Sequence, residues 1–354
     1  MSDPLRTAVV GLGWVGQARH IPALKGQKGV EIVGLVDRRE GRAAEAANRH
    51  GVAAHARAER LADVPFIDDV DAVSIATAPM SHAALVCEAL ERGLHVITEK
   101  PFAMNRDEAE AMCGAAERSE RTLAVVHNFQ FARSMKRLQA DLATEKLGRI
   151  TGVRALQMGN PRRRLPVWYD DLPLGLFYDE SPHLLYLLRS VVGPLALKKA
   201  VLLPSRTGKA TPAQIDAWFD ADLDVPVTLS CNFESAVSEW YLMVHGEAGM
   251  GIVDVFRDIY VALPNDRTHG TMDVVRTSVS STAQHWWQHL ASGIPHLTGR
   301  LLYGNDEVFA RFTRQARGQS HGENSDLAPI GAEAGRATLF LQHDIIESHE
   351  RLNP

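Results

Sequence analysis

The chain has 354 residues, and at roughly 150 residues per domain that length predicts two domains. Its 45% hydrophobic and 23% charged residues are those of a globular protein, which excludes disordered and collagen-like chains. Lys and Arg total 38 against 43 Asp and Glu, a formal net charge of −5, so the basic footprint of a nucleic-acid binder is absent and no such partner is expected. Cys87, Cys113 and Cys231 lack CxxC spacing, which argues against a disulfide framework or a zinc ribbon; no metal is expected. Neither a basic start with an apolar signal segment nor an apolar run of ~18 residues is present, so no membrane span is predicted and a cytoplasmic location is expected.

In chain order, a short apolar strand over Thr7–Val10 runs into Gly11-Leu12-Gly13-Trp14-Val15-Gly16 and a helical stretch. A second strand, Val30–Val36, ends at Asp37, and an Ala-rich helix, Glu40–His50, closes at Gly51. The pattern continues with a buried strand over 71–77, a helix over Ser81–Glu91, a strand over Leu94–Thr98, a helix over Arg106–Ser119 and a strand over Thr122–Val126. Strands alternating with helices of this length imply right-handed crossovers and a parallel sheet covered on both faces.

Beyond about residue 150 the strands Gly152–Met158, Leu195–Leu203, Asp216–Asp222, Val225–Phe233 and Trp240–Val244 alternate apolar and polar residues, as in an antiparallel sheet with one wet face. Helices are predicted at Pro182–Val192, Thr282–Leu290, Asp306–Arg317 and Ala332–His349, with a linker-like segment at Gly318–Asn324. The expected fold class is therefore α/β: a doubly wound parallel-sheet domain over residues 1–126, then an α+β domain on a largely antiparallel open sheet over 127–354. Since no segment obviously covers both faces of that second sheet, a homodimer or homotetramer is expected.

The Gly11-x-Gly13-x-x-Gly16 loop has the context that gives it meaning, because it follows a strand, opens a helix and precedes Asp37 at the end of the next strand. One glycine turns tightly, one admits the backbone to a pyrophosphate, and one lets helix pack on strand. Free N–H groups at the helix start then hold phosphate charge, with Trp14 and Val15 on the same loop. Asp37 would accept hydrogen bonds from both adenosine ribose hydroxyls and repel a 2′-phosphate, which favours NAD over NADP. Arg38 and Arg39 leave the second open, since arginines here can clasp a 2′-phosphate.

Ile75-Ala76-Thr77-Ala78-Pro79-Met80-Ser81-His82, Thr98-Glu99-Lys100-Pro101 and Asp179-Glu180-Ser181-Pro182-His183 resemble three motifs of the Gfo/Idh/MocA-type oxidoreductases, the glucose–fructose oxidoreductase and inositol dehydrogenase family. His127-Asn128-Phe129-Gln130-Phe131 is similar to that family's domain junction. The resemblance implies cofactor contacts from Thr77, Pro79, His82, Glu99, Lys100 and Asn128, a cis Lys100–Pro101 peptide, and Lys100, Asp179 and His183 as the catalytic group. It departs at Tyr186, three residues after His183, where the family often has an acid.

Lys100 leaves the C-terminal end of a parallel strand, where a cation stabilises alkoxide character on a secondary alcohol. Ser181-Pro182 reads as a cap and first helical residue, which places His183 in the first turn, where the positive helix end favours a neutral imidazole. Asp179 would orient that imidazole or bind substrate. Arg162, Arg163, Arg164 and Trp168, with Tyr178 and Tyr186, are candidate contacts for a sugar-like substrate, though an arginine run is equally a solvated loop. The expected function is an NAD-dependent dehydrogenase acting on a secondary alcohol or ketone of a sugar, cyclitol or nucleotide-sugar. Two alternatives stand beside it: transient use of NAD for elimination or epimerisation, and a non-catalytic NAD-binding sensor.

Overall fold

The computed structural model describes residues 3–163, 165–222, 224–297, 302–319 and 328–351. The chain divides into two compact units, one formed by Met1–Asn128 with Gly304–Phe340 and the other by Phe129–Tyr303 with Leu341–Pro354.

In the first unit, β1 (Leu5–Val10), β2 (Val30–Asp37), β3 (Ala54–Arg57), β4 (Ala72–Ile75), β5 (His95–Thr98) and β6 (Leu123–Val125) form one parallel sheet in the order β3-β2-β1-β4-β5-β6. Every residue of β4 is buried, as a central parallel strand covered on both faces requires. The connections carry α1 (Ile21–Lys25), α2 (Arg42–His50), α3 (His82–Glu91) and α4 (Arg106–Ser119). Strand order reverses between β1 and β4, and the crevice beyond their carboxyl ends is where open α/β sheets bind ligands. The glycine loop, the Thr77 turn and Lys100 follow β1, β4 and β5 respectively.

Residues after 126 were all expected in the second domain, yet 304–340 fold with the first unit. The helix α8 (Asn305–Ala316) sets Phe309 edge-on to the buried His20 ring at 5.0 Å, and the Asp306 carbonyl accepts from Gln27 Nε2. Further on, the Ile330 carbonyl accepts from Val125 N–H, which extends the β6 edge. Most of the linker-like Gly318–Asn324 segment lies outside the described residues.

The second unit is built on an eight-stranded sheet, β13-β12-β11-β7-β10-β9-β8-β14. Its strands are β7 (Ile150–Met158), β8 (Leu195–Leu203), β9 (Gln214–Ala221), β10 (Val227–Asn232), β11 (Glu239–Gly246), β12 (Gly249–Asp254), β13 (Ile259–Pro264) and β14 (Glu350–Arg351). All neighbours are antiparallel except β7 with β10 and β8 with β14. Alternate residues Val153, Ala155, Leu229, Cys231, Leu242 and Val244 point into a core shared with α6 (Leu176–Val192). The other face is mixed, with Ser230 donating to Asp216 and Trp218 partly exposed.

The strands β12 and β13 and the helix α5 (Arg133–Ala143) were not anticipated, and α7 (Thr271–Leu297) extends well beyond the predicted 282–290. Gln284 and Gln288 of α7 each pair with both backbone groups of one residue of β13, Ala262 and Tyr260, so two amides cover the strand edge that would otherwise seek another strand. The outer side of α7 exposes Val279, Trp286, Trp287 and Leu290. Among the described residues no helix is long and apolar enough to cross a membrane.

One prediction is corrected at α6, which starts at Leu176 rather than at Pro182. Gly175, at φ 56°, ends the preceding turn, and Thr211 Oγ1 accepts the Leu176 N–H. Pro182 therefore lies inside the helix, where it supplies no N–H to the Tyr178 carbonyl four residues back. Gln342 of α9 (Ala332–Ser348) makes up the loss: its fully buried Nε2 donates to Tyr178 O at 2.8 Å and to Ser181 Oγ at 2.9 Å. Replacing Gln342 with Leu should cost about 1–3 kcal/mol in denaturant unfolding, the penalty for an orphaned buried carbonyl. Pro182→Ala should recover part of that loss in the Gln342→Leu background by restoring the helical N–H. Equal effects of Pro182→Ala in both backgrounds would show that the amide plays no such part.

Candidate functional site

In the first unit, Gly11 has φ +91°, and a Cβ there would stand 2.7 Å from the Ala76 carbonyl carbon and oxygen. A Cβ at Gly16 would stand 2.1 Å from the Gly11 carbonyl oxygen, so neither position admits a side chain. Gly13 is different, with no atom within 4 Å of its Cβ position, so its backbone faces open space. The helix then begins with wide π turns over Gly16–His20 before α1. Trp14 is 62% exposed, with the Arg19 guanidinium 4.9 Å above its ring, and Val15 is half-buried.

Asp37 is buried at the end of β2, where Oδ2 accepts Leu12 N–H and Oδ1 accepts Arg39 N–H, both at 2.8 Å. These bonds fix the carboxylate against the glycine loop, and an ionised carboxylate has about four acceptor sites, so lone pairs remain for a diol. Arg38 is exposed. Open backbone at Gly13 beside an oriented carboxylate fits the phosphates and ribose of a dinucleotide.

The Thr77 turn and the strand end at Lys100 are tied together by His82, whose ring nitrogens lie 2.9 Å from Pro101 O and 3.2 Å from Thr77 O. Complete burial, outweighing these carbonyls, holds the imidazole below its ordinary value of 6.5. Thr77 Oγ1 accepts from Ser81, and Pro79 is buried. The Lys100–Pro101 peptide is cis, and the Lys100 side chain is half-buried.

Behind Lys100 stands a residue that sequence reasoning missed. His20 is fully buried, with Nδ1 2.7 Å from Ser74 Oγ and Nε2 3.0 Å from Glu99 Oε1, while Glu99 Oε2 accepts the Lys100 N–H. Burial pushes the Glu99 carboxyl up, but His20 and Lys100 together outweigh it and hold the group below the usual carboxylate range. Asn128, the last residue of this segment, is buried.

In the second unit, His183 lies two turns into α6, beyond the reach of the helix-end charge expected to act on it. Its environment is made by side chains instead. The ring packs edge-on to Phe129 at 4.7 Å and against Trp240 at 5.5 Å, and Nδ1 lies 2.8 Å from the Tyr186 hydroxyl. That hydroxyl accepts the Phe129 N–H at 3.1 Å. Phe129 and Trp240 are distant in sequence, so no local pattern announced them, whereas Tyr186 shares the helix face of His183. Asp179, one turn earlier on that face, is half-buried.

The remaining substrate candidates separate. Tyr178 is fully buried and pairs with His343 Nε2 at 3.1 Å, so it has no surface to offer a ligand. Arg163 forms an ion pair with the buried Glu180, which also accepts from Gln157. Trp168 packs on the core, Arg162 is exposed, and Arg164 lies outside the described residues.

Residues 5–127 match the sequence model of an oxidoreductase family with an NAD-binding Rossmann fold, Gfo/Idh/MocA. A dTDP-3,4-didehydro-2,6-dideoxy-α-D-glucose 3-reductase of Actinomadura kijaniata is 32% identical over 41% of this chain and 42% of its own length. A D-glucoside 3-dehydrogenase of Escherichia coli is 32% identical over 47% and 46%. The aligned stretch thus spans less than half the length of either relative. The WlbA dehydrogenase of Bordetella pertussis, solved with NADH and UDP-GlcNAcA, superposes with a TM-score of 0.75 at 18% identity over 98% of this chain and 96% of that one, a likeness of fold. Residues 5–127 are thus similar to the NAD-binding Rossmann domain of this oxidoreductase family.

His82 has a consequence for stability. Above pH 6.5 the imidazole is neutral whether the chain is folded or not. Below it the unfolded chain takes up a proton that folded His82 refuses, so stability falls with pH until the lowered folded value is passed. Denaturant midpoints should drop from pH 7 to pH 5.5, and His82→Gln should flatten part of that slope. A midpoint that is constant or rising over this interval contradicts the burial argument.

Proposed function

We propose that the chain transfers hydride between NAD(H) and a secondary alcohol or ketone of a sugar, cyclitol or nucleotide-sugar. The observation that carries this reading is the open backbone at Gly13 beside the Asp37 carboxylate, on a domain similar to that of an oxidoreductase family. The activities for which the two relatives are named support the substrate class. When bound, the nicotinamide supplies or accepts the hydride. Asp37 holds the adenosine ribose and disfavours a 2′-phosphate, so NAD(H) is the preferred cofactor over NADP(H). Lys100 stabilises negative charge on the substrate oxygen, and His183 exchanges a proton with that oxygen. Asp179 orients or binds. The exposed tryptophans 218, 286 and 287 support assembly as a homodimer or dimer of dimers, against which a monomeric mass in light scattering at micromolar concentration would count.

A panel of secondary alcohols and ketones, followed by nicotinamide absorbance, tests the chemistry. On the substrate found, His183→Ala should lower kcat/KM by about 10²–10⁴-fold, and Lys100→Ala comparably. The double variant should be less than additive, because the two groups act on one oxygen. Both single variants should lose far more turnover than NADH affinity, and wild type should bind NADH at least about tenfold more tightly than NADPH, or ~1.4 kcal/mol. Near-wild-type turnover in His183→Ala sinks the mechanism, and tighter NADPH binding sinks the role of Asp37.

A further inference from the structure

The parallel sheet of the first unit has two ends, and the glycine loop, the Thr77 turn and Lys100 all follow strands at the carboxyl one. At the amino end lies a cavity of about 330 Å³, large enough for a small molecule. One wall is the segment before β4, with Asp68 and Asp71. The other is the turn from α3 into β5 together with the start of β6, and it carries Arg92, His95 and Arg121. Register keeps the walls apart. Ala72 pairs with His95 and Val96 with Leu123, so residues 71, 94 and 121 stand abreast. Asp71 and Arg121 are thus two strand spacings apart, or ~10 Å between backbones.

The charges of the two walls do not meet. Among the described residues neither arginine pairs with Asp68 or Asp71, although all four line one cavity. Arg121 is braced through Nε, which donates to the Gly93 carbonyl at 2.6 Å, and its two terminal nitrogens have no partner among the described residues. Arg92 Nε lies 3.9 Å from Glu88, whose carboxylate already accepts the Leu61 and Ala62 N–H groups. On the acid wall Asp71 Oδ2 accepts the Arg6 N–H at 2.8 Å, while the Arg6 guanidinium pairs with Asp69 instead. Asp68 has no partner among the described residues. His95 Nδ1 accepts the Thr122 N–H at 3.1 Å, which leaves the proton of a neutral ring on Nε2. Burial, and after it Arg121, hold that ring below its ordinary 6.5 against the pull of Asp71, so it adds a donor to the basic wall rather than a charge.

Charges so divided select by chemistry. A simple anion at the arginines faces two carboxylates, and a simple cation at the carboxylates faces two guanidiniums. An uncharged molecule satisfies neither wall. A ligand with both charges satisfies both, and its bonds to each are charge-assisted.

We propose that this cavity is a binding site for a small zwitterion, an amino acid whose ammonium group meets Asp68 and Asp71 while its carboxylate meets Arg92 and Arg121. The inference is independent of the hydride-transfer reading, because the cavity lies at the opposite end of the sheet from the glycine loop.

Calorimetric titration of the full-length protein tests it. The probes are the protein amino acids with β-alanine, γ-aminobutyrate and ε-aminocaproate, a set graded in the distance between the two charges. At least one should bind at millimolar concentration or below. Its N-acetylated and its amidated form, each lacking one charge, should bind at least ~10-fold more weakly, as loss of a charge-assisted hydrogen bond implies. Asp68→Asn and Arg121→Gln should each weaken the parent amino acid by a similar factor. Should Arg121→Gln lose stability along with its brace to Gly93, Asp68→Asn, whose side chain has no such bond to lose, decides the matter. Absence of binding by every probe overturns the proposal. So does a singly charged form that binds as well as its parent, or an affinity that Asp68→Asn leaves unchanged.

Discussion

The first unit depends on the approach of backbone to backbone where the sheet order reverses. With a Cβ at Gly16 only 2.1 Å from the Gly11 carbonyl, and one at Gly11 2.7 Å from that of Ala76, the loop after β1 closes only because these residues have no side chains. Closure brings Leu12 N–H onto Asp37, so one carboxylate registers the glycine loop against the end of β2. The adjacent strand ends inherit the same precision through buried imidazoles. His82 spans the Thr77 and Pro101 carbonyls, and His20 spans Ser74 and Glu99. Each is a polar group that burial would penalise, held because its partners are in place.

The second unit solves a different problem, that of presenting one histidine from a helix with a proline in it. Proline in a helix interior costs ~3 kcal/mol or more, partly from the lost bond and partly from its ring. Gln342 answers the first part by donating to the carbonyl that Pro182 leaves open, directly before His183. Phe129, Trp240 and Tyr186 then surround the imidazole, so its position is set by aromatic packing and one hydroxyl rather than by a helix end. The helix-end argument failed for a definite reason: Ser181-Pro182 has the look of a start signal, but Gly175 and Thr211 begin the helix six residues earlier.

Local pattern carried the Rossmann half well. The strand–glycine–helix–acid spacing is a short-range code, and β1, β2, β4, β5 and β6 fall where alternation of strand and helix placed them, while the four-residue edge strand β3 was not anticipated. The second half was less legible because its decisive contacts are long-range. The edge strands β12 and β13 are short, and β13 is covered by glutamines of α7 that no local pattern links to it. Residues 304–340 return to the first unit through Phe309 and Ile330, contacts that chain order does not reveal. Among the candidate site residues, Lys100, Asp179 and His183 were visible as motifs, whereas His20, Phe129 and Trp240 are ordinary residues given meaning by what they touch. Tyr178, picked out by its place beside Asp179, proves to be core.

Gly13 separates folding from binding, because a Cβ there would meet no other protein atom within 4 Å and would stand where the proposed function places a phosphate. The most direct measurement is calorimetric titration of NAD⁺ into wild type and Gly13→Val, with denaturant unfolding of both. Unfolding should agree within ~0.5 kcal/mol, as for a change that touches nothing, while NAD⁺ affinity falls at least ~100-fold, or about 2.7 kcal/mol. Equal NAD⁺ affinity in a normally folded Gly13→Val variant would contradict the placement of the dinucleotide on this loop, and with it the functional reading.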